Sequence, residues 1–527
     1  MSLNHDKDAS KSKSERIEKF YQEERRRQPG VTFPSARKQQ HLLIIRFDIS
    51  MSTLEDTEKR TVRDGLLRIC SYFDAIEKGT KKRDILLDDG TIKPVNLSEF
   101  DFSMTLGLGF GFFQKLKVNP NNIPKKLKQM PNHIALGDSV PYRLVQTDFL
   151  IQLCSNNEDI NNWVFQHLSA KQRTPHQERR QHERYFNERT LADPFFKDEV
   201  DLYSAITDWA TITDIHTGFQ RIDGKNLLGF NDGISNPRRL SNDVVWTTAQ
   251  DEVNKLTGGT YMVFQKIEHD LQRWKEMTVE IQEEWIGRSK YTGLLLGTLP
   301  KEEDRKLALN LHSNDPATRA QAQRMWKKLY DEQKDPNRRF FDVNMTQYRG
   351  IQLQCPVWSH VRKSNPREAD GAAKSLIFRR GYLFSERGLN GLFDSGLLFI
   401  CFQRNIETGF ELIKKKFINN KNFPVPNLRK NLNRRESESG LLHGLYTKDQ
   451  LRKRMQGNSP TSPMTALKTI EDSGALSTGK DGLSGPSELG AHPEGQYPIT
   501  VTLGGGYYFI PPIPHKKISE ITEQFFS

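Results

Sequence analysis

The spacing of apolar positions divides the chain into alternating strands and helices. HLLIIRFDI (41–49) is an apolar run rich in branched side chains and bounded by polar residues, which predicts a strand. Over 57–77, Val62, Leu66, Ile69, Cys70 and Phe73 recur at helical spacing and predict a helix. FSMTLGLGFGFF (102–113) reads as a glycine-punctuated strand, DFLIQLCSNN (148–157) as another, and NEDINNWVFQHL (157–168) as a capped helix. The same grammar returns later: strand GGTYMVFQKI (258–267), then helix EHDLQRWKEM (268–277) with Leu271 and Trp274 on one side. Strands SLIFRRGYLF (375–384) and GLLFICFQ (396–403), helix IETGFELIKKKF (406–417) and strand TLGGGYYFIPPIP (502–514) complete it. Two passes of strand, helix, strand, strand, helix, strand predict a duplicated α+β unit with antiparallel sheets. The repeat lies in the architecture, since the sequence itself has no period.

A chain of 527 residues exceeds the roughly 250–300 that one core supports, so two domains are expected. Apolar residues are only 35% and charged residues 27%, which points to long solvated segments. Residues 1–38 are charged, contain the turn-like QPG and read as a flexible arm or loosely attached helix. Residues 300–335 carry a charged helical pattern that reads as an insertion. The segment 418–494 runs from Asn/Lys-rich to Ser/Pro/Gly-rich and lacks the apolar surface to order by itself. No run approaches the roughly 18 apolar residues of a membrane span, and the N-terminus has no apolar signal core, so a cytoplasmic protein without a membrane partner is expected.

Cys70, Cys154, Cys355 and Cys401 share no CxxC, CxxCH or zinc spacing, which excludes covalent c-type haem and leaves them as buried small hydrophobes. The net charge of +12 is concentrated between Lys414 and Arg454, in KKK, NLRKNLNRR and LRKRM. With no aromatic interleaving and no recognition helix, these runs read as a solvated insertion and not as a specific nucleic-acid site.

The 13 histidines are scattered without HExxH, which argues against a mononuclear zinc hydrolase. His360 stands in CPVWSHVRKSNPRE among polar and basic residues, where it either hydrogen bonds or ligates. GFNDGISNP (229–237) sets Asp232 between glycines, as a turn former or as a group held to move a proton. Arg379 and Arg380 interrupt an apolar strand, and alternation turns one of them inward, where it needs an anionic partner.

Together these residues resemble the dye-decolourising peroxidases. The match rests on GFNDG (229–233), SHVRKSNPR (359–367), IFRRGY (377–382) and GLLFICFQRNIETGFELI (396–413), with DFLIQLCSNN, GGTYMVFQKIEHDLQRW, WIGRSKYTG (285–293) and GGGYYFIPP (504–512) in support. It covers about residues 40–415 and 495–515 in the family's order. The resemblance implies two ferredoxin-like domains, 39–240 and 241–417 with 495–527, the second holding haem in a cavity. It implies one haem b per chain with His360 as proximal iron ligand. Asp232 and Arg379 are implied as the catalytic pair, and Gly233, Ile234, Ser235, Leu397, Phe399 and Arg362 as further cofactor-binding residues. The implied reaction reduces hydrogen peroxide by heterolytic O–O cleavage and oxidises phenolic or dye-like donors in one-electron steps.

Heterolysis needs a proton taken from one peroxide oxygen and delivered to the other, which one pivoting carboxylate can do, while a guanidinium stabilises the charge on the leaving oxygen. An aspartate that starts at about 3.9 then predicts an acidic optimum, around pH 3–5. Bulky donors cannot pass Leu397 and Phe399, so Tyr382 and Trp358 are the first expected electron relays. The carboxylate partner of His360 has only Glu494 as a candidate, and Gly381 stands where some relatives have asparagine. A haem-binding or haem-handling protein with incidental peroxidase activity is the alternative, and a homo-oligomer is left open.

Overall fold

The computed structural model describes residues 27–32, 39–50, 55–77, 82–86, 92–131, 145–169, 206, 209–231, 236, 244–334, 359–365, 375–387, 393–418 and 500–513. Its strands are β1 (His41–Ile49), β2 (Lys82–Leu86), β3 (Ile92–Asn96), β4 (Ser103–Gly109), β5 (Phe149–Ser155), β6 (Ala210–Phe219), β7 (Thr260–His269), β8 (Phe378–Arg379), β9 (Tyr382–Arg387), β10 (Phe393–Gln403) and β11 (Thr500–Ile510). β2 and β3 form a separate hairpin, and the others form one antiparallel sheet in the order β7-β11-β4-β5-β1-β6-β9-β10-β8. A β10–β7 ladder closes that sheet on itself.

The α+β prediction holds, and the two runs of strands carry one connectivity. In the first, the neighbours read β4-β5-β1-β6, and in the second β11-β7-β10-β9, so each opening strand lies between its third and fourth partners. The expectation of one sheet per half is corrected, because the two runs join at both edges. Tyr508 pairs with Gly109 and Phe509 with Leu108 at one seam, and Phe219 with Leu383 at the other. Joining removes edge strands that would otherwise present unpaired backbone. The second seam needs glycine: a Cβ on Gly218 would stand 2.8 Å from the Tyr382 Cβ.

Alternation sorts side chains to two sides of this closed sheet. Leu42, Ile44, Leu150, Met262, Phe264, Leu398, Ile400, Phe402 and Tyr508 pack together on one side. Leu43, Ile45, Phe47, Phe149 and Ile151 pack on the other with Val62, Leu66 and Ile69 of the helix Asp56–Glu77 and Ile160 and Val164 of the helix Glu158–Ser169. Cys70, Cys154 and Cys401 are buried in these cores, as expected, while Cys355 lies outside the described residues. Among the described residues, no helix is long and apolar enough to cross a membrane.

Several boundaries move. The strand expected over 102–113 stops at Gly109, where the helix Phe110–Lys115 buries Phe112 and Phe113. The helix expected from 406 starts at Phe410 and ends in a π-helical turn, Ile413–Ile418. The strand expected over 375–384 is divided at Arg380-Gly381 without slipping register: Arg379 opposes Cys401, Tyr382 opposes Leu398, and the Arg380 N–H donates to the Ile400 carbonyl at 2.7 Å. The insertion expected over 300–335 is two helices, Lys301–Leu311 and Pro316–Lys334.

Of the stretch expected to be an arm, the described residues 27–32 are docked through Gln28. Gln28 is 3% exposed; its Nε2 donates to the carbonyls of Leu106 (3.2 Å) and Pro511 (2.9 Å), and its Oε1 accepts from the Leu106 N–H (2.7 Å). One side chain thus satisfies β4 backbone that β11 does not reach and ties it to the chain leaving β11. Gln28→Ala orphans these buried groups and is expected to lower unfolding free energy by about 2–4 kcal/mol. The check is the denaturant midpoint at unchanged slope, and a midpoint equal to wild type removes the anchoring role.

Candidate functional site

A cavity of about 210 Å³ lies against one face of the second strand run. A single water needs roughly 10–15 Å³ on that scale, so the space is ligand-sized. β7 contributes Gln265, Ile267 and His269 to its wall, and β10 contributes Leu397 and Phe399, the odd-numbered face of each strand. Phe410 and Ile413 cover it from the helix that follows β10, where the Phe410 ring centroid lies 5.8 Å from that of Phe399. Leu228, Phe230 and Ile286 close the third side.

Register settles the alternative left open at the arginine pair. Arg379 shares the outward face with its partner Cys401 and lines the cavity, whereas Arg380 is fully buried and donates to the Gln39 side chain. Asn236, the next-to-last residue of GFNDGISNP, holds Arg379 in place by its backbone. Its Nδ2 donates to the Arg379 carbonyl at 2.7 Å, and its Oδ1 accepts the Arg379 N–H at 3.0 Å. That amide continues the strand's hydrogen bonding on the side away from β10. The Arg379 guanidinium makes no hydrogen bond or ion pair among the described residues.

His360 opens the short helix His360–Ser364, lines the cavity and is partly exposed to it. Its neighbour Val361 packs on Leu228, Phe230, Trp274, Trp285 and Ile286, which fixes the start of that helix. Phe230 belongs to the same motif as Asn236. Its N–H donates to Asn226 Oδ1 at 3.0 Å, and Gly229 before it adopts φ 90°, a left-handed bend that glycine permits. A Cβ at Gly229 would also meet Lys290, whose ammonium lies 5.8 Å from the Phe230 ring centroid.

The structure therefore brings His360, Arg379, Leu397 and Phe399 to one cavity. Asp232, Gly233, Ile234, Ser235, Trp358 and Glu494 lie outside the described residues, as does the side chain of Arg362. Tyr382 is corrected as a surface relay: alternation turns it away from solvent, it is 0% exposed, and burial raises its hydroxyl far above its ordinary value. A Cβ at Gly381 would stand 3.0 Å from Leu397 Cδ1, so a larger residue here needs the Leu397 side chain to give by a few tenths of an ångström.

Sequence reasoning missed three basic residues. Arg288, His269 and Lys414 line the cavity with His360 and Arg379, and no carboxylate is among the described lining residues. Arg288 is fastened by Nη1 donating to the Gly293 carbonyl at 2.9 Å. His269 Nδ1 is buried without a hydrogen-bond partner among the described residues, and burial pushes the imidazole down to about 4. An unfolded histidine titrates near 6.5, so the unfolded chain binds the extra proton first and stability falls as pH drops from about 6.5 to about 4. His269→Leu is expected to flatten that part of the stability profile in the cofactor-free chain. Denaturant midpoints at pH 7 and pH 4.5 that separate as widely as in wild type would contradict it.

These walls suit haem. Aliphatic and aromatic side chains offer a flat macrocycle an apolar slot, an imidazole is present for iron, and basic groups on the wall complement two carboxylates. Among the described residues, the unpartnered His269 Nδ1 and the lack of acidic lining side chains are what carry this fit. Among the described residues no group of histidine, cysteine and carboxylate side chains is set to hold a bare metal ion.

Comparison with known proteins gives a consistent result. The family profile described as "Dyp-type peroxidase, C-terminal" matches residues 223–425, and that described as "Dyp-type peroxidase, N-terminal" matches residues 28–176. The chain is 28% identical over 410 residues to proteins named deferrochelatase from Shigella flexneri serotype 5b and from Escherichia coli K12, covering 74% of this chain and 77% of each relative. A DyP-type peroxidase structure from Streptomyces coelicolor superposes with a TM-score of 0.49 at 18% identity, covering 74% of this chain and 85% of that one. A Rhodococcus jostii RHA1 DypB variant in complex with heme gives a TM-score of 0.47 at 16% identity, covering 93% and 97%.

Proposed function

Because the chain belongs to the Dyp-type peroxidase family and is a haem-dependent peroxidase, we propose that it binds haem b in the cavity beside β7 and β10, with His360 as the iron ligand and Arg379 on the reacting side. The carrying observation is the meeting of His360 and Arg379 at one cavity whose described ionisable lining residues are all basic. The two matching strand orders support ferredoxin-like domains at 39–240 and at 241–417 with 495–527, the cavity belonging to the second.

Bound haem supplies the electrons that break the O–O bond and takes them back singly from donors. The protein supplies proton movement and charge. In this reading the Asp232 carboxylate accepts a proton from one oxygen of hydrogen peroxide and returns it to the other, which leaves as water. Arg379, whose backbone is held by Asn236, stabilises the negative charge on the leaving oxygen. Leu397 and Phe399 keep the reacting side of the pocket apolar and closed to bulky dye-like donors, so those give up their electrons from outside.

The test is reconstitution of the full chain with haemin. The reading expects a Soret band at one equivalent and peroxide-dependent oxidation of guaiacol well above free haemin; no Soret band removes it. A second reading, haem handling with incidental peroxidase activity, draws support from the name deferrochelatase carried by the curated relatives. It expects iron to leave bound haem faster than peroxide is turned over.

A further inference from the structure

The run Lys414-Lys415-Lys416 reads from sequence as solvated charge, but its members part company in the fold. Lys415 and Lys416 are exposed, and the Lys415 ammonium donates to Oε2 of the buried Glu411 at 3.2 Å, an i,i+4 pair. Lys414 is 4% exposed and lines the cavity. Among the described residues it has no hydrogen bond and no ion pair. Its neighbours along the turn are apolar: Ile413, Phe417 and Ile418 form one cluster with Ile377 and Leu412. It also sits in the π-helical turn Ile413–Ile418, and such turns re-aim one side chain and recur at functional positions.

An ammonium taken out of water with no counter-ion is strongly unfavourable, so a position that keeps one facing a ligand-sized cavity is matched to an anion. We propose that Lys414 anchors a carboxylate of whatever molecule occupies this cavity. The inference rests on the haem reading for the ligand's identity, and within it the carboxylate is a propionate of the cofactor; a carboxylate of the donor is the other source of the same chemistry. Burial alone pushes the Lys414 amine down to about 8, and a carboxylate against it restores full charge at neutral pH. None of the described cavity residues could serve instead as its partner, since the other ionisable ones are Arg288, Arg379, His269 and His360.

The experiment uses the full chain carrying Lys414→Met, which keeps the length and removes the charge, and Lys414→Arg, which keeps the charge. Each is loaded with haemin and, separately, with haemin dimethyl ester, and pigment loss to excess apomyoglobin is timed. A charge-assisted hydrogen bond lost on one side predicts about tenfold or faster haemin loss from Lys414→Met, with Lys414→Arg close to wild type. Loss of the ester, which has no carboxylate, is expected to be equal in all. If haemin loss is unchanged but KM for ferulate rises about tenfold with guaiacol unaffected, the carboxylate belongs to the donor and the anchoring role stands. Equal acceleration of haemin and ester loss leaves only a packing role and overturns the proposal, as does no change in any arm. Without pigment, Lys414→Met is expected to unfold at a higher temperature than wild type, since it relieves a buried unpaired charge. A wild type that binds neither pigment counts against the haem reading itself.

Discussion

Arg379→Leu is expected to slow the reaction with hydrogen peroxide by about 10²–10³-fold, the usual cost of removing one preorganised donor from developing negative charge. Pigment binding should change little, because what fixes Arg379 in the fold is its backbone: the Asn236 amide on one side and β10 on the other. The effect therefore belongs in the rate of reaction with peroxide under single turnover, with an unaltered Soret band before mixing. A variant that reacts at the wild-type rate would place the charge stabiliser elsewhere, for instance on Arg288 of the same wall.

His360→Ala is expected to have the larger effect on binding. A ligand present at about 100 times its dissociation constant adds about 2.7 kcal/mol of stability, and the first tenfold loss of affinity removes about 1.3 kcal/mol of it. The haemin-induced rise in melting temperature should shrink accordingly, and peroxide-dependent guaiacol oxidation should fall to the level of free haemin. Full retention of both would take the iron away from His360. The site offers another imidazole to receive it, since His269 lines the cavity and its Nδ1 has no partner among the described residues.

The strands were legible because both of their faces are buried: β1 runs apolar from Leu42 to Ile45, with Leu43, Ile45, Phe47 and Ile49 on one core and Leu42 and Ile44 on the other. The same alternation, once register was known, assigned Arg379 to the cavity and Arg380 and Tyr382 to the opposite side, which single-strand reasoning could only pose as a choice. β6 escaped notice because its outer face is exposed, leaving ATITDIHTGF without an apolar run. The helix Val279–Ile286 carried readable ends, with Thr278 accepting the Ile281 N–H at its start and left-handed Gly287 at its finish, but it is too short for periodicity to stand out.

The missed basic residues failed for a different reason. His269 was assigned to a helix expected from 268, whereas β7 runs on to it, and a shift of two residues in a boundary moved it from a helix surface to a cavity wall. Lys414 was hidden inside a charge run, and its burial comes from a π-helical turn that no spacing rule anticipates. Both errors lie at element ends, where local pattern is weakest and tertiary packing decides.

The most direct test of the account is resonance Raman spectroscopy of the haem-reconstituted, ferrous chain, read for the iron–imidazole stretch. The account predicts that the band is present in wild type and in His269→Leu and absent in His360→Ala until free imidazole is added. A band that survives in His360→Ala and disappears in His269→Leu would contradict it.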